Sequence, residues 1–462
     1  MHSNRISFLA AVLLLEAGAL AQPARPYYYD SVAIGGSQNG LTFNSPVINN
    51  NGTVAFYTTK YLTGSGILKG PSFENDAIFT ETGVGPYSSI ATSFALNDLG
   101  QVAVKATVRA TNQSGIFVHD DTTHDLMAGW GTIGSSPLGL TNNGKVAIGA
   151  TYGLYTYNPR RNHDIFLLGQ AGVSSSARVA ENTFTGPPGT FRTLESGSYV
   201  VNEAGQNAFM AQAWDQQPNG YIEGVYQNNS TSSAVWDTTG RFFDTDGWLD
   251  INNSGTLAFT ASTDDNLFVD ALFRGRGEDS VRIAATGPEY LSIKLVDIND
   301  AGSVAFNAQL TGTPGQGVFT GASKIDDKVV APGDVLFGRT VRDAYFRRGG
   351  LNNQGQVAFY YIATDLQSGI AVATPAMFGD ADLNRVINFD DYARIDSGFN
   401  NGSTGWANGD FDGNGVINFD DYSLIDAEFN RQNNSGAGTR AVPEPVTALS
   451  TVALLFAGRR RR

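Results

Sequence analysis

At 462 residues and a net charge of −14, the chain is long enough for several folded units, and its acidity argues against nucleic acid and anionic lipid as partners. It has no cysteine, which removes disulfides, thiol nucleophiles and thiolate metal sites, and its four histidines leave few candidates for imidazole catalysis. With 54 glycines and only 16% charged residues, it has the composition of a turn-rich β protein.

Residues 1–21 have the order of a secretory signal: Arg5, the apolar run Phe8–Leu15, then Ala19-Leu20-Ala21 ahead of Gln22. The apolar run is too short to span a bilayer, so export is expected.

From Ile48 onward one phrase returns seven times. It reads INNNGTVAF around Gly52 and LNDLGQVAV around Gly100, and recurs around Gly144, Gly205, Gly255, Gly302 and Gly355. Each copy is read as a tight hairpin: an apolar residue ends one strand, Asn and Asp favour the turn, glycine takes the left-handed position, and a short apolar strand leaves. That strand lacks polar alternation, so it is expected to be buried on both faces. Four strands per period of about fifty residues predicts propeller blades. The expected fold is mainly β, a seven-bladed β-propeller over 27–375. Two strands before the first phrase, Ser31–Ile34 and Leu41–Ile48, are expected to complete the seventh blade. The repeat resembles uncharacterised propeller-like domains of exported bacterial proteins, a resemblance that implies architecture and no activity. A sialidase comparison fails on the residues, because the position four before glycine is apolar and no Trp follows.

Two segments thirty residues apart then share one spacing. Asp380, Asp382, Asn384, Asn388 and Asp391 occupy positions 1, 3, 5, 9 and 12 of a loop, with the Val386 carbonyl at 7; Asp410, Asp412, Asn414, Val416, Asn418 and Asp421 repeat the set. Oxygens in this order wrap a hard cation, and calcium is the expected ion. A helix follows each loop, with Tyr392, Ile395 and Phe399 on one face and Tyr422, Ile425 and Phe429 repeating it. The arrangement over 378–430 resembles the dockerin type I module, a small α-helical pair of EF-hand-like loops. That resemblance implies a cohesin-like protein as partner, although loop positions 10 and 11 are Phe-Asp in both copies where cellulosomal examples carry Ser-Thr. Position 6 is Gly415 in the second loop and Arg385 in the first, so the first site is expected to be the weaker.

After a linker at 431–441 come Pro443-Glu444-Pro445, the apolar stretch Val446–Gly458 and Arg459–Arg462. A hinge, a short hydrophobic segment and a positive stop suit transient association with the inner membrane. The segment 442–462 resembles the PEP-CTERM sorting signal, which implies an exosortase-type sorting peptidase as partner.

The functional expectation is an exported protein of the cell surface or extracellular matrix that binds calcium and uses the propeller as a binding platform, with an extracellular polysaccharide or a cohesin-like protein as partner. The alternative is a glycan-active enzyme, hydrolase or lyase, on the same scaffold. Asp265, Glu278, Glu289 and Asp300 are carboxylates available for such work, but nothing in the sequence selects them. No catalytic residue and no organic cofactor site is assigned.

Overall fold

The computed structural model describes residues 25–435, apart from 36–39, 45, 120–122, 126–135, 154–161, 171–175, 182–188, 196, 216–219, 228–233 and 265. The expected signal, the PEP-CTERM segment and most of the expected linker lie outside the described residues. What is described divides into two compact units, one ending at Ala376 and one beginning at Met377.

In the larger unit the chain forms seven antiparallel sheets in sequence order. The second is typical: Tyr87–Leu96, Val102–Val108, Gln113–His119 and Thr123–Asp125 pair consecutively. The repeated phrase is the turn between the first and second strands of each sheet. Its glycine has φ between 75° and 80° in all seven copies, a left-handed conformation in which any Cβ is strained.

The apolar strand that follows is buried on both faces because it is shared between two blade interfaces. Val54 and Phe56 pack towards blade 7, with Ala358 and Ile370, while Ala55 between them packs towards blade 2, with Phe94 and Val104. Seven such clusters form among the described residues, one at each blade-to-blade contact. The arrangement is a seven-bladed β-propeller.

Closure differs from the sequence expectation. Blade 7 consists of Arg339–Tyr345 with the short Val335–Leu336 beside it, Val357–Ala363, Ser368–Pro375 and a single strand from the N-terminal side, Tyr27–Gly35, registered Tyr27 to Pro375 through Gly35 to Ser368. Leu41–Phe43 and Val47–Ile48 instead pair with Val54–Lys60 in blade 1. The phrase turn lies within a blade, so the strand preceding it belongs with the strands that follow it. Counted this way, blade 7 lacks one strand, not two.

Two hydrogen-bonded belts tie the blades together. Three residues before the glycine, Asn49 folds its own turn, its Oδ1 accepting from the amides of Asn51 and Thr53, while its Nδ2 donates to the Asn97 carbonyl of the next blade at 2.9 Å. Asn97, Asn202, Asn252 and Asn299 likewise donate onward, and Asn352 donates back to Asn49. Thr141 holds this position in blade 3; its hydroxyl bonds within its own turn.

The second belt is complete. Two residues before each glycine, the amide of Asn50 donates to Asp98, Asp98 to Asn142, Asn142 to Glu203, Glu203 to Asn253, Asn253 to Asp300, Asp300 to Asn353 and Asn353 to Asn50, at 2.7–3.1 Å. An oxygen-bearing side chain is required there in every repeat, since each one accepts the amide of the preceding blade.

The smaller unit holds α1 (Phe389–Asn401) and α2 (Phe419–Ser435), which share one core of Ala381, Ile387, Ile395, Phe411, Ile417 and Ile425. The two halves repeat at thirty residues and bond reciprocally: Tyr392 Oη donates to Asp426 and Tyr422 Oη to Asp396, both at 2.6 Å. Ile395 and Ile425 are buried as the periodicity predicts, but Phe399 is 57% exposed and meets Tyr422 edge-on. α2 passes residue 430, and Gln432 exchanges two hydrogen bonds with the backbone of Ile387. No helix among the described residues is long and apolar enough to cross a membrane.

Candidate functional site

In the smaller unit the sequence spacing brings carboxylates together. Oxygens of Asp380, Asp382 and Asp391 lie within 4.8 Å of one another, and so do those of Asp410, Asp412 and Asp421. The local hydrogen bonds explain the convergence. Asn388 caps α1 by accepting from the Asp390 amide, while Asp391 returns to the amides of Asn388 and Ala381. Asn418 and Asp421 do the same for α2.

Asp380 and Asp410 accept from the amides at loop position 6, Arg385 and Gly415. Asn384 and Asn414 accept from the amides of Val386 and Val416 and direct their own Nδ2 groups to Asp382 and Asp412. Burial pushes Asp391 above its ordinary range, and Asp382 and Asp380 beside it add to the effect. Asp412 rises for the same reasons, with Asp421, Asp410 and Asp420 as its neighbours.

These residues fit a cation. Asp410 is 4% exposed, yet its Oδ1 has no hydrogen-bond partner. A buried carboxylate oxygen without a donor is costly, and a cation at the centre of the loop satisfies it. The clusters can hold a metal ion. The two loops differ in backbone strain: Leu383 and Arg385 sit at φ 60° and 70°, whereas glycines occupy both equivalent corners, Gly413 and Gly415.

The propeller holds a second site that sequence reasoning missed. The innermost strand of every blade loses its regular pairing just before the phrase. It skips between Ile90 and Phe94, Pro137 and Gly139, Thr245 and Leu249, and Lys294 and Val296. In blades 1 and 4 the strand comes in two pieces, Leu41–Phe43 with Val47–Ile48 and Phe191–Leu194 with Val200–Val201, and in blade 7 only the Leu351 bridge follows Tyr345. Residues at these breaks from all seven blades line one central cavity of about 300 Å³.

Four charged side chains meet there. Asp297 is buried and accepts from the amides of Gly349 and Leu351, and Asp250 accepts from the Ile298 amide. Burial raises both carboxyls, Asp297 further because Asp250 lies beside it. Arg348 lies close to both acids and donates to the carbonyls of Gly197 and Leu249. Arg347 donates to the carbonyls of Thr92 and Phe94 and lies 4.8 Å over the Phe94 ring.

The available signal was position five before the glycine, which is Val, Ala, Gly, Val and Gly in five repeats but Asp250 and Asp297 in two. The carboxylates considered for glycan chemistry do not converge. Glu278 accepts from the Arg241 amide, Glu289 pairs with Lys324, Asp300 belongs to the belt, and Asp265 lies outside the described residues. Asn307 is fully buried and bonded only to backbone groups, of Gly317, Ala344 and Phe346, which is a structural role.

The fold and its repeats define the larger unit as a seven-bladed propeller protein. More particularly, the chain belongs to a family of unknown function, DUF7453, which matches residues 30–377. No curated protein matches it. Among similar solved structures, an oligogalacturonate lyase from Vibrio parahaemolyticus is 10% identical, with a TM-score of 0.36 over 77% of this chain and 98% of that one. An aldose sugar dehydrogenase from Streptomyces coelicolor is 11% identical, with a TM-score of 0.33 over 77% and 99%. The Hadza microbial sialidase Hz136 is 10% identical, with a TM-score of 0.32 over 70% and 73%. No function is carried over from these likenesses.

Proposed function

We propose that this is an exported, calcium-binding protein of the cell surface or extracellular matrix, in which the propeller is a binding platform and the paired loops are a metal-dependent connector. The observation that carries this reading is the duplicated carboxylate cluster with the unpartnered Asp410 oxygen at its centre. An all-oxygen set of carboxylates, carboxamides and a main-chain carbonyl suits calcium, which takes six to eight such ligands. Asp380, Asp382, Asn384, Asn388, Asp391 and the Val386 carbonyl would hold one ion; Asp410, Asp412, Asn414, Asn418, Asp421 and the Val416 carbonyl would hold the other.

The ions would offset the repulsion among the acids and lock the start of each helix, and the unit's six-residue buried core is small enough to need that help. Loop position 10 supports the connector role. Phe389 and Phe419 are 82% and 81% exposed, a matched apolar pair open to a partner such as a cohesin-like protein. The secretory signal and the PEP-CTERM-like tail supply the address, with an exosortase-type peptidase acting on the tail.

Calorimetric titration of the chelator-stripped protein tests the metal reading. Two calcium ions per chain, of unequal affinity, are expected, and no calcium heat would refute it. Mass spectrometry of the surface pool tests the tail: the mature protein should lack Arg459–Arg462, and an intact C-terminus would refute processing.

A further inference from the structure

The central channel carries more than a structural plug. Its volume of about 300 Å³ is at the lower end for small-molecule pockets, about 300–1,000 Å³. Its charges are unevenly paired. Arg348 has both Asp250 and Asp297 beside it. Arg347 has no carboxylate partner among the described residues. Two of its N–H groups reach the backbone of blade 2, at Thr92 and Phe94, leaving donors of the guanidinium fork unused. Arg347 is only partly buried, and Arg348 beside it places a second positive charge at the same level. Burial and Arg348 together lower the pKa of Arg347 to about 10.

We propose that the channel binds a small monocarboxylate of sugar-acid size, with Arg347 as its counter-ion. The guanidinium fork matches a carboxylate in bidentate geometry. A dianion such as phosphate would bring more negative charge beside Asp250 and Asp297 than a monocarboxylate does. Trp248, partly buried in the lining, offers aromatic surface to the body of a ring-shaped ligand. The irregular strand segments explain how the site arises: at the breaks in blades 2, 4 and 5 backbone carbonyls leave the strand ladder and accept from Arg347 and Arg348 instead. This deepens the platform reading and rests on it.

The test is calorimetric titration of the intact, calcium-loaded protein with glucuronate, glucose and inorganic phosphate. Glucuronate should bind about tenfold or more tightly than either control, and Arg347→Gln should weaken it by about tenfold or more with the melting temperature preserved. Should Arg347→Gln fold poorly, Arg347→Lys serves in its place; it keeps the charge, loses the fork, and should weaken binding by about threefold or more. A glucuronate oligomer binding as well as the monomer identifies the acid as a chain end, and its exclusion identifies a free acid; both support the site. Absence of glucuronate binding, equal binding of glucose, preference for phosphate, or unchanged affinity in the arginine variants would overturn the proposal and leave the arginines as struts. Calcium heats measured on the same sample keep the two readings apart, since losing them counts against the metal loops and not against the channel.

Discussion

The propeller turns and the metal loops are built from the same residues, Asp, Asn and Gly in short loops, yet they use their oxygens in opposite directions. In the propeller's complete belt each side-chain oxygen points back to the preceding repeat and accepts its backbone amide, until the circle closes at Asn353 and Asn50. In the smaller unit the carboxylates point inward at one another, and one of them, on Asp410, lacks a donor. Acidic turns whose acceptors are filled by neighbouring amides are structural. Those whose acceptors converge on one centre can hold a cation.

The largest effect should come from Asp410→Ala, which removes the unpartnered oxygen. Calcium affinity at the second loop should fall on the order of 100-fold, with loss of the α2 helix signal in circular dichroism. The propeller's calorimetric transition should not move; a parallel shift would break the contrast.

Next in size is Asp98→Ala in the belt. It orphans the Asn50 amide and the side-chain amides of Asn50 and Asn142, and should destabilise the propeller by about 1–3 kcal/mol while leaving calcium binding unchanged. Burial alone would raise the Asp98 carboxyl, but the hydrogen bonds from Asn142 and Asn50 outweigh it and hold it below the usual range. Its contribution is therefore present above the ordinary aspartate range and is lost as the pH falls through the depressed value, which acid melting curves of wild type and Asp98→Asn can show.

A smaller change, Arg385→Gly, should tighten the first calcium site by relieving a left-handed corner costing about 1–2 kcal/mol, and Leu383→Gly should do likewise. Calorimetry should show the two sites drawing level; sites already equal in the wild type would remove the asymmetry.

The smallest effect belongs to Glu203→Gln. Burial raises the Glu203 carboxyl despite the Asn142 amide it accepts, with Asp98 and Asp300 adding to the rise. The charged form therefore costs stability above the raised value. The glutamine variant should melt slightly higher at neutral pH, and the difference should vanish as the pH drops below the ordinary glutamate range.

Much of this was legible in the sequence because it is local. The left-handed glycine, the twelve-residue spacing and the two-face burial of Val54-Ala55-Phe56 each follow from a few adjacent residues. The reason for Asn, Asp or Glu two residues before every glycine was only half legible. Turn chemistry explains an oxygen there, but the amide it accepts lies 44–61 residues earlier in the chain, or across the ring closure. Closure by one strand was missed because the phrase was read as the start of a blade, whereas it joins that blade's first two strands. Of the channel, the sequence carried only the two aspartates five residues before the glycine, Asp250 and Asp297. Arg347, Asp250 and Asp297 come from three blades, and nothing in their own neighbourhoods reveals that their strands break at the same level.

The single closing strand also sets how the propeller would respond to mechanical load. Tyr27 pairs with Pro375, and the Ala376 amide donates to the Pro26 carbonyl, so the chain enters and leaves the ring at one point. Tension between those two ends would load the pairing of Tyr27–Gly35 with Ser368–Pro375 from its open end, like a zipper. Its hydrogen bonds would part in succession, starting at Tyr27, instead of sharing the load as they would in shear. For a chain held at both ends, blade 7 is the mechanical fuse, and the belt at Asn353 and Asn50 is the next link to be loaded.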